Sequence, residues 1–163
     1  MSAAPYPGAT PEELAHPLVN HFLAIHATFR QQLADLLRLS SEILAGELPL
    51  PAPEMNARLQ QLIHLGARYT YGLHLHHRLE TQEMFPTLAT EGLETDVIER
   101  LNAEHRQLSD LLDQVNAGIQ DLDTAAPGAL DARLLRLSQQ LKAHLDYEEV
   151  HVCPLLAHFS RWP

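Results

Sequence analysis

The sequence predicts an all-α protein, a four-helix bundle of up-down-up-down course. Three observations predict it. Apolar residues recur at helical spacing through four long stretches, short segments rich in proline, glycine and aspartate separate them, and no segment shows the period-two alternation of a strand. The 163 residues suit one domain with a real core. That domain is taken as residues 10–163, after an irregular arm over 1–9 that holds Pro5, Pro7 and Gly8.

Each element has a local cause. Thr10-Pro11-Glu12-Glu13 has the form of a helix start: a capping hydroxyl, proline at the first position and Glu three residues on. Pro17 interrupts that first turn or restarts the helix. The first long helix then runs from residue 18 to about 45, and Gly46 with the run Pro49-Leu50-Pro51-Ala52-Pro53 forms a connection. A second helix covers about 54–85 and is expected to end near Pro86, since the residue before proline resists the helical region. Gly92 and its neighbours turn the chain, and a third helix covers about 95–117. Residues 121–128 connect it to a fourth helix over about 129–153, expected to end at Pro154.

Composition excludes several functions. Eleven Lys+Arg against 21 Asp+Glu leave a net charge of −10, without the basic stripe that phosphate binding needs, so no nucleic-acid partner is expected. No apolar run reaches the roughly 18–20 residues that span a bilayer, so no membrane partner is expected. The first residues lack a basic start followed by an apolar stretch, and Cys153 has no second cysteine to pair with; the expected location is the cytoplasm. The unusual total is 11 histidines, scattered along the chain.

Two echoes organise them. Residues 73–88 and 141–156 align without a gap, sharing Leu73/Leu141, His76/His144, Glu80/Glu148, Pro86/Pro154 and Leu88/Leu156. Each contains His-x-x-x-Glu, two side chains one turn apart on one helix face, able to grip one ion. The first and third helices echo more faintly. Leu18, Val19, Phe22, His26, Phe29, Leu33 and Leu36 have the same offsets as Val97, Ile98, Leu101, His105, Leu108, Leu112 and Val115. In both stripes a histidine occupies a core-facing position.

These groups share a height. His26 lies nine residues after Pro17 and His105 nine after Asp96, while His76 and His144 each lie ten before their prolines. In an antiparallel bundle all four then sit roughly 13–15 Å from the same end, with Glu80 and Glu148 one turn nearer to it. Two buried carboxylates demand positive charge, and no lysine or arginine occupies the inward stripes. Four imidazoles and two carboxylates exceed the needs of one tetrahedral zinc and suit two ions with mixed nitrogen and oxygen ligands. Iron leads, with manganese behind it. The expected metal-binding set is His26, His76, Glu80, His105, His144 and Glu148, with His77 able to reach the site from the side. His151, on the face of His144 toward the mouth, and His74 are further candidates. His16, His21, His64 and His158 are expected at the surface, capping or partly packed. Tyr69, seven residues before His76, reads as core that could hydrogen-bond near the site.

The chain resembles the hemerythrin-like family, in its HHE cation-binding branch. The resemblance runs from about His16 to Leu156 and rests on His76-His77-x-x-Glu80 continuing to Phe85-Pro86, on Glu104-His105, on His144-x-x-x-Glu148-Glu149 and on His26-x-x-x-Arg30. It implies a four-helix bundle around a non-haem diiron centre, two iron ions with an oxo or hydroxo bridge, taking a small diatomic or peroxide ligand. By that resemblance His26, His76, His105 and His144 are terminal ligands, and Glu80 and Glu148 bridge. The oxygen carriers of the family have a second histidine one turn after the third-helix histidine, where this chain has Ser109. The ligand count falls to six unless His77 fills the gap, and a more open centre favours reactivity over carriage. Two readings follow: a protein that reacts with dioxygen, peroxide or nitric oxide, or an oxygen-, iron- or redox-sensing or carrying module without net catalysis. A bundle with purely structural ions is a third. No glycine-rich phosphate loop or other organic-cofactor motif is present.

Overall fold

A computed structural model describes residues 6–44, 52–121 and 128–163. Most of the expected arm, the end of the first long helix at Ala45, most of the connection that follows it and the interior of the 121–128 connection lie outside these residues. The described residues are helical, with no strand among them. In order they form α1 (Pro11–Ala15), α2 (Pro17–Leu44), α3 (Ala52–Leu79), a π-helical turn (Glu80–Met84), α4 (Phe85–Thr90), α5 (Thr95–Gln120) and α6 (Ala129–Leu156). The long helices make a bundle in which α2 and α5 each pack against both α3 and α6.

Local chemistry explains the starts. Thr10 accepts from the Glu13 N–H while the Glu13 carboxylate accepts from the Thr10 N–H, a complete capping box. His16 is extended, at φ −73° and ψ 129°, and α2 restarts at Pro17. Gly92 and Gly128, at φ 106° and 84°, supply left-handed turns ahead of α5 and α6 that a side chain would strain.

Neither proline stops its helix where expected. At the first, α3 widens into a π-turn in which the Phe85 N–H donates to the Glu80 carbonyl five residues back, and helix continues through Pro86 to Thr90. Proline normally breaks a helix by colliding with the carbonyl four residues back; the wider turn relieves that collision. Pro154 lies in the last turn of α6, which ends at Leu156. Only the bond to Val150 is forfeited there, and Val150 is exposed to water. The third helix also runs three residues further than expected, to Gln120.

The apolar core is divided. One cluster holds Phe29, Leu33, Leu73, Leu108, Leu141 and Leu145; the other holds Val19, Phe22, Phe85, Leu88, Leu101 and Val152. Both stripes read from the sequence face inward, buried except for the half-buried Leu18 and Ile98, but His26 falls between Phe22 and Phe29, and His105 between Leu101 and Leu108. A polar layer therefore separates two apolar clusters whose burial stabilises the bundle by about 1.5–3 kcal/mol per large side chain. Among the described residues, no helix is long and apolar enough to cross a membrane.

Candidate metal centre

Four elements and the π-turn build the polar layer. α2 supplies His26, α3 supplies His76 and His77, the π-turn opens with Glu80, α5 supplies His105, and α6 supplies His144 and Glu148. At about 100° per residue, Glu80 falls one turn beyond His76 and between the directions of His76 and His77. One carboxylate can thus face both imidazoles. Glu80 Oε1 lies 2.8 Å from His76 Nε2 and 4.0 Å from His26 Nε2, while Oε2 lies 3.3 Å from His105 Nε2. Glu148 Oε2 lies 3.4 Å from His26 Nε2 and 3.7 Å from His144 Nε2. The His77 ring stacks on His105 with centroids 4.1 Å apart.

These atoms fall into two groups that could each hold a metal ion. One is His26, His76, Glu80 and Glu148; the other is His77, Glu80, His105 and His144. Within each group the donor atoms lie within 4.8 Å of one another, and Glu80 belongs to both. All seven residues proposed from the sequence are brought together.

The fit to cations rests on unsatisfied atoms. His26, His76, His77, His105 and His144 each have a buried Nε2 without a hydrogen-bond partner, as do both carboxylate oxygens of Glu80 and Glu148. Even the 2.8 Å approach of His76 Nε2 to Glu80 is misaligned for a hydrogen bond. Leaving nine buried lone-pair atoms bare would cost about 1–3 kcal/mol each, more for charged groups. Positive ions between them remove that cost.

The far sides of three imidazoles are held. His26 Nδ1 donates to Glu149 Oε1 at 2.9 Å, and His144 Nδ1 donates to Glu104 Oε2 at 2.8 Å. Arg30 Nη1 reaches Glu149 at 2.7 Å, and Arg100 Nε reaches Glu104 at 2.8 Å. Burial raises both outer carboxyls, but the hydrogen bonds from histidine and arginine outweigh it and hold them below their usual range. Each is therefore an ionised acceptor that takes the Nδ1 proton and leaves Nε2 facing inward. Thr81 Oγ1 donates to Asn102 and accepts from His105 Nδ1 at 2.9 Å, with the same result. Partners of this kind orient metal-binding histidines.

The inner carboxyls are pulled in opposite directions. Burial raises Glu80, but the His76, His105 and His26 imidazoles hold it well below the ordinary range. Burial and the adjacent Glu80 charge push Glu148 well above it. Burial, with His105 adding, keeps His77 neutral, and burial also lowers His144. Burial lowers His26 too, but the Glu149 and Glu80 carboxylates outweigh it and raise it. Buried imidazoles around two carboxylates in conflict are a donor set suited to a cation.

The remaining histidines are elsewhere. His151 Nδ1 donates to the Tyr147 carbonyl, and His74 lies 3.7 Å from Asp113; neither joins the cluster. His16 caps the Leu18 N–H, while His21, His64 and His158 are exposed. Tyr69 packs on Phe29 in the core, and its hydroxyl finds no partner. Cys153 is buried in the apolar cluster below the layer, outside both metal groups. In the sequence Glu104, Glu149 and Arg30 stand only as parts of motifs, and nothing there singles out Thr81 or Arg100. The arginine one turn from each signal, at His26 and at Glu104, is visible in the sequence; the helix across which each carboxylate acts is not.

A model of the hemerythrin HHE cation-binding domain matches residues 18–158, a span that includes all seven clustered residues and their outer partners. Comparison with curated proteins and with solved structures finds no match. With that family match over most of its length, and two His/Glu groups that could hold a metal, the chain belongs to the hemerythrin HHE cation-binding domain family.

Proposed function

We propose that this chain is a non-haem diiron protein that binds and reacts with a small oxidant: dioxygen, peroxide or nitric oxide. The observation that carries it is the pair of donor groups sharing Glu80. One ion would be held by His26, His76, Glu80 and Glu148, and the second by His77, His105, His144 and Glu80. Glu148, near both His26 and His144, would be the second bridge. Iron is the favoured metal and manganese the other. Bound iron supplies electrons and open positions for a small ligand. The protein fixes the imidazoles through Glu149, Glu104 and Thr81 and surrounds the layer with apolar side chains.

Reaction rather than reversible carriage is supported at Ser109. It lines a cavity of about 300 Å³ together with His77, His105, Thr81, Asn102 and Arg106. A histidine one turn after His105 would fill that space; serine leaves a polar opening beside the donors, while His77 takes the stacked place against His105. The reading includes residues 10–163 as one domain and the up-down-up-down course of the long helices, which the packing of α2 and α5 on both α3 and α6 supports.

The test begins with metal identity and stoichiometry by elemental analysis on protein purified without an immobilised-metal column. Two irons or manganese ions per chain are expected, and a metal-free native sample would overturn the reading. Hydrogen peroxide added to the loaded protein should then release oxygen or be consumed catalytically. A stable, reversible visible band with no turnover would instead establish a carrier or sensor.

A further inference from the structure

Six of the seven clustered side chains are at most 7% exposed, whereas His76 keeps 13%. His76 and Glu80 are the floor of a pocket of about 300 Å³ on the α2–α3 side. Its walls are Phe22, Ile25, Leu79, Met84 and Trp162. Trp162 comes from the segment after α6 and is held by rings: its centroid lies 5.3 Å from His21, edge to face, and 6.5 Å from Phe22. It is the sole tryptophan of the sequence and lies beyond the residues matched by the family, so this wall belongs to this chain and not to the matched region.

The lining selects for apolar bodies. No lysine or arginine contributes to it, and its polar side chains besides His76 and Glu80 are His21 and Glu83. A strongly hydrated ligand would lose its water against aromatic and aliphatic walls that return no hydrogen bond, while an apolar body would shed water there. The opening at Ser109 has the opposite character, with Arg78 and Arg106 over His77 and His105. The two approaches to the layer therefore differ in the ligands they tolerate.

We propose that the pocket beneath Trp162 binds a neutral small organic molecule, an aromatic or branched-alkyl body bearing one hydroxyl or hydroperoxyl group. The body packs against Trp162 and Phe22, and the polar group faces His76 and Glu80. This rests on the diiron reading for what occupies the floor, while the walls stand independently of it.

Trp162 is its own reporter. Zinc-loaded protein, which undergoes no redox reaction, is titrated with 2-phenyl-2-propanol and separately with glycerol while tryptophan emission is followed. A saturable emission change with 2-phenyl-2-propanol is expected, and binding of glycerol, which has no apolar body, at least about tenfold weaker. In Trp162→Ala, calorimetry should show loss of 2-phenyl-2-propanol binding with zinc content unchanged. A linear, non-saturating response, equal binding of glycerol, or undiminished binding to Trp162→Ala would each overturn the pocket. The failures are separable: saturable binding by protein that elemental analysis finds unable to hold zinc upholds the pocket and sinks the metal reading. No saturation in protein holding two zinc ions does the reverse.

Discussion

Glu149 Oε1 accepts from His26 Nδ1 at 2.9 Å across the α2–α6 interface, and Arg30 clamps the same oxygen at 2.7 Å. His144 is held in a related way, with Glu104 accepting from His144 Nδ1 on Oε2 and from Arg100 Nε on Oε1. One histidine in each donor group is thus oriented by a carboxylate that an arginine holds in place.

That clamp makes Glu149→Ala informative although Glu149 belongs to neither donor group. Without it, His26 can rotate or take the wrong tautomer, and metal affinity should fall roughly 10–100-fold. Competition with a chelator of known affinity measures this. Glu149→Gln keeps an acceptor oxygen and should lose less; equal affinity in the wild type and Glu149→Ala would refute the orienting role.

Glu80 is shared between both donor groups, so its loss should be felt at both. Glu80→Ala is expected to reduce bound metal toward one ion or none, and Glu148→Ala likewise. His21→Ala, at an exposed position outside the layer, should retain full stoichiometry. Elemental analysis decides, and unchanged content in both Glu variants would count against bridging.

Metal removal should destabilise the bundle, because the bare donors stay buried while their counter-charge is gone. A ligand at about 1,000 times its Kd adds roughly 4 kcal/mol. For a domain of this size that corresponds to a Tm higher by roughly 8–16 °C. Thermal unfolding with and without a chelator checks it; coincident transitions would mean the layer is stable empty.

His77 and position 109 should compensate for each other. His77→Ala is expected to weaken one donor group, seen as loss of metal toward one ion per chain. Adding Ser109→His places an imidazole one turn beyond His105 and should restore the second ion, while narrowing the opening beside it and slowing peroxide consumption. Failure of the double variant to regain metal would show that His77 is not acting as a replacement ligand.

Much of this centre is legible in the chain because helical spacing is a local property. The repeated His-x-x-x-Glu and the two interrupted apolar stripes single out His26, His76, Glu80, His105, His144 and Glu148. His76 and His144 each lie ten residues before a proline, although neither proline ends its helix: helix runs on to Thr90 after Pro86 and to Leu156 after Pro154. The two overruns differ by only about half a turn, so the histidines still share a level. The π-turn at Glu80–Met84 has no signature in the sequence, since widening there depends on how the turn accommodates Pro86 and not on any residue preference.

Sequence alone determined which side chains share a helix face, because that follows from 3.6 residues per turn, and it determined that histidines interrupt the core-facing stripes. Tertiary structure decided what lies across from each face: that Glu149 holds His26, that Thr81 holds His105, that His77 stacks on His105, and that Trp162 walls the approach to His76. These pairings join residues from separate helices or beyond the last one. Their distances are set by how the helices pack, and no periodicity along a single helix encodes that.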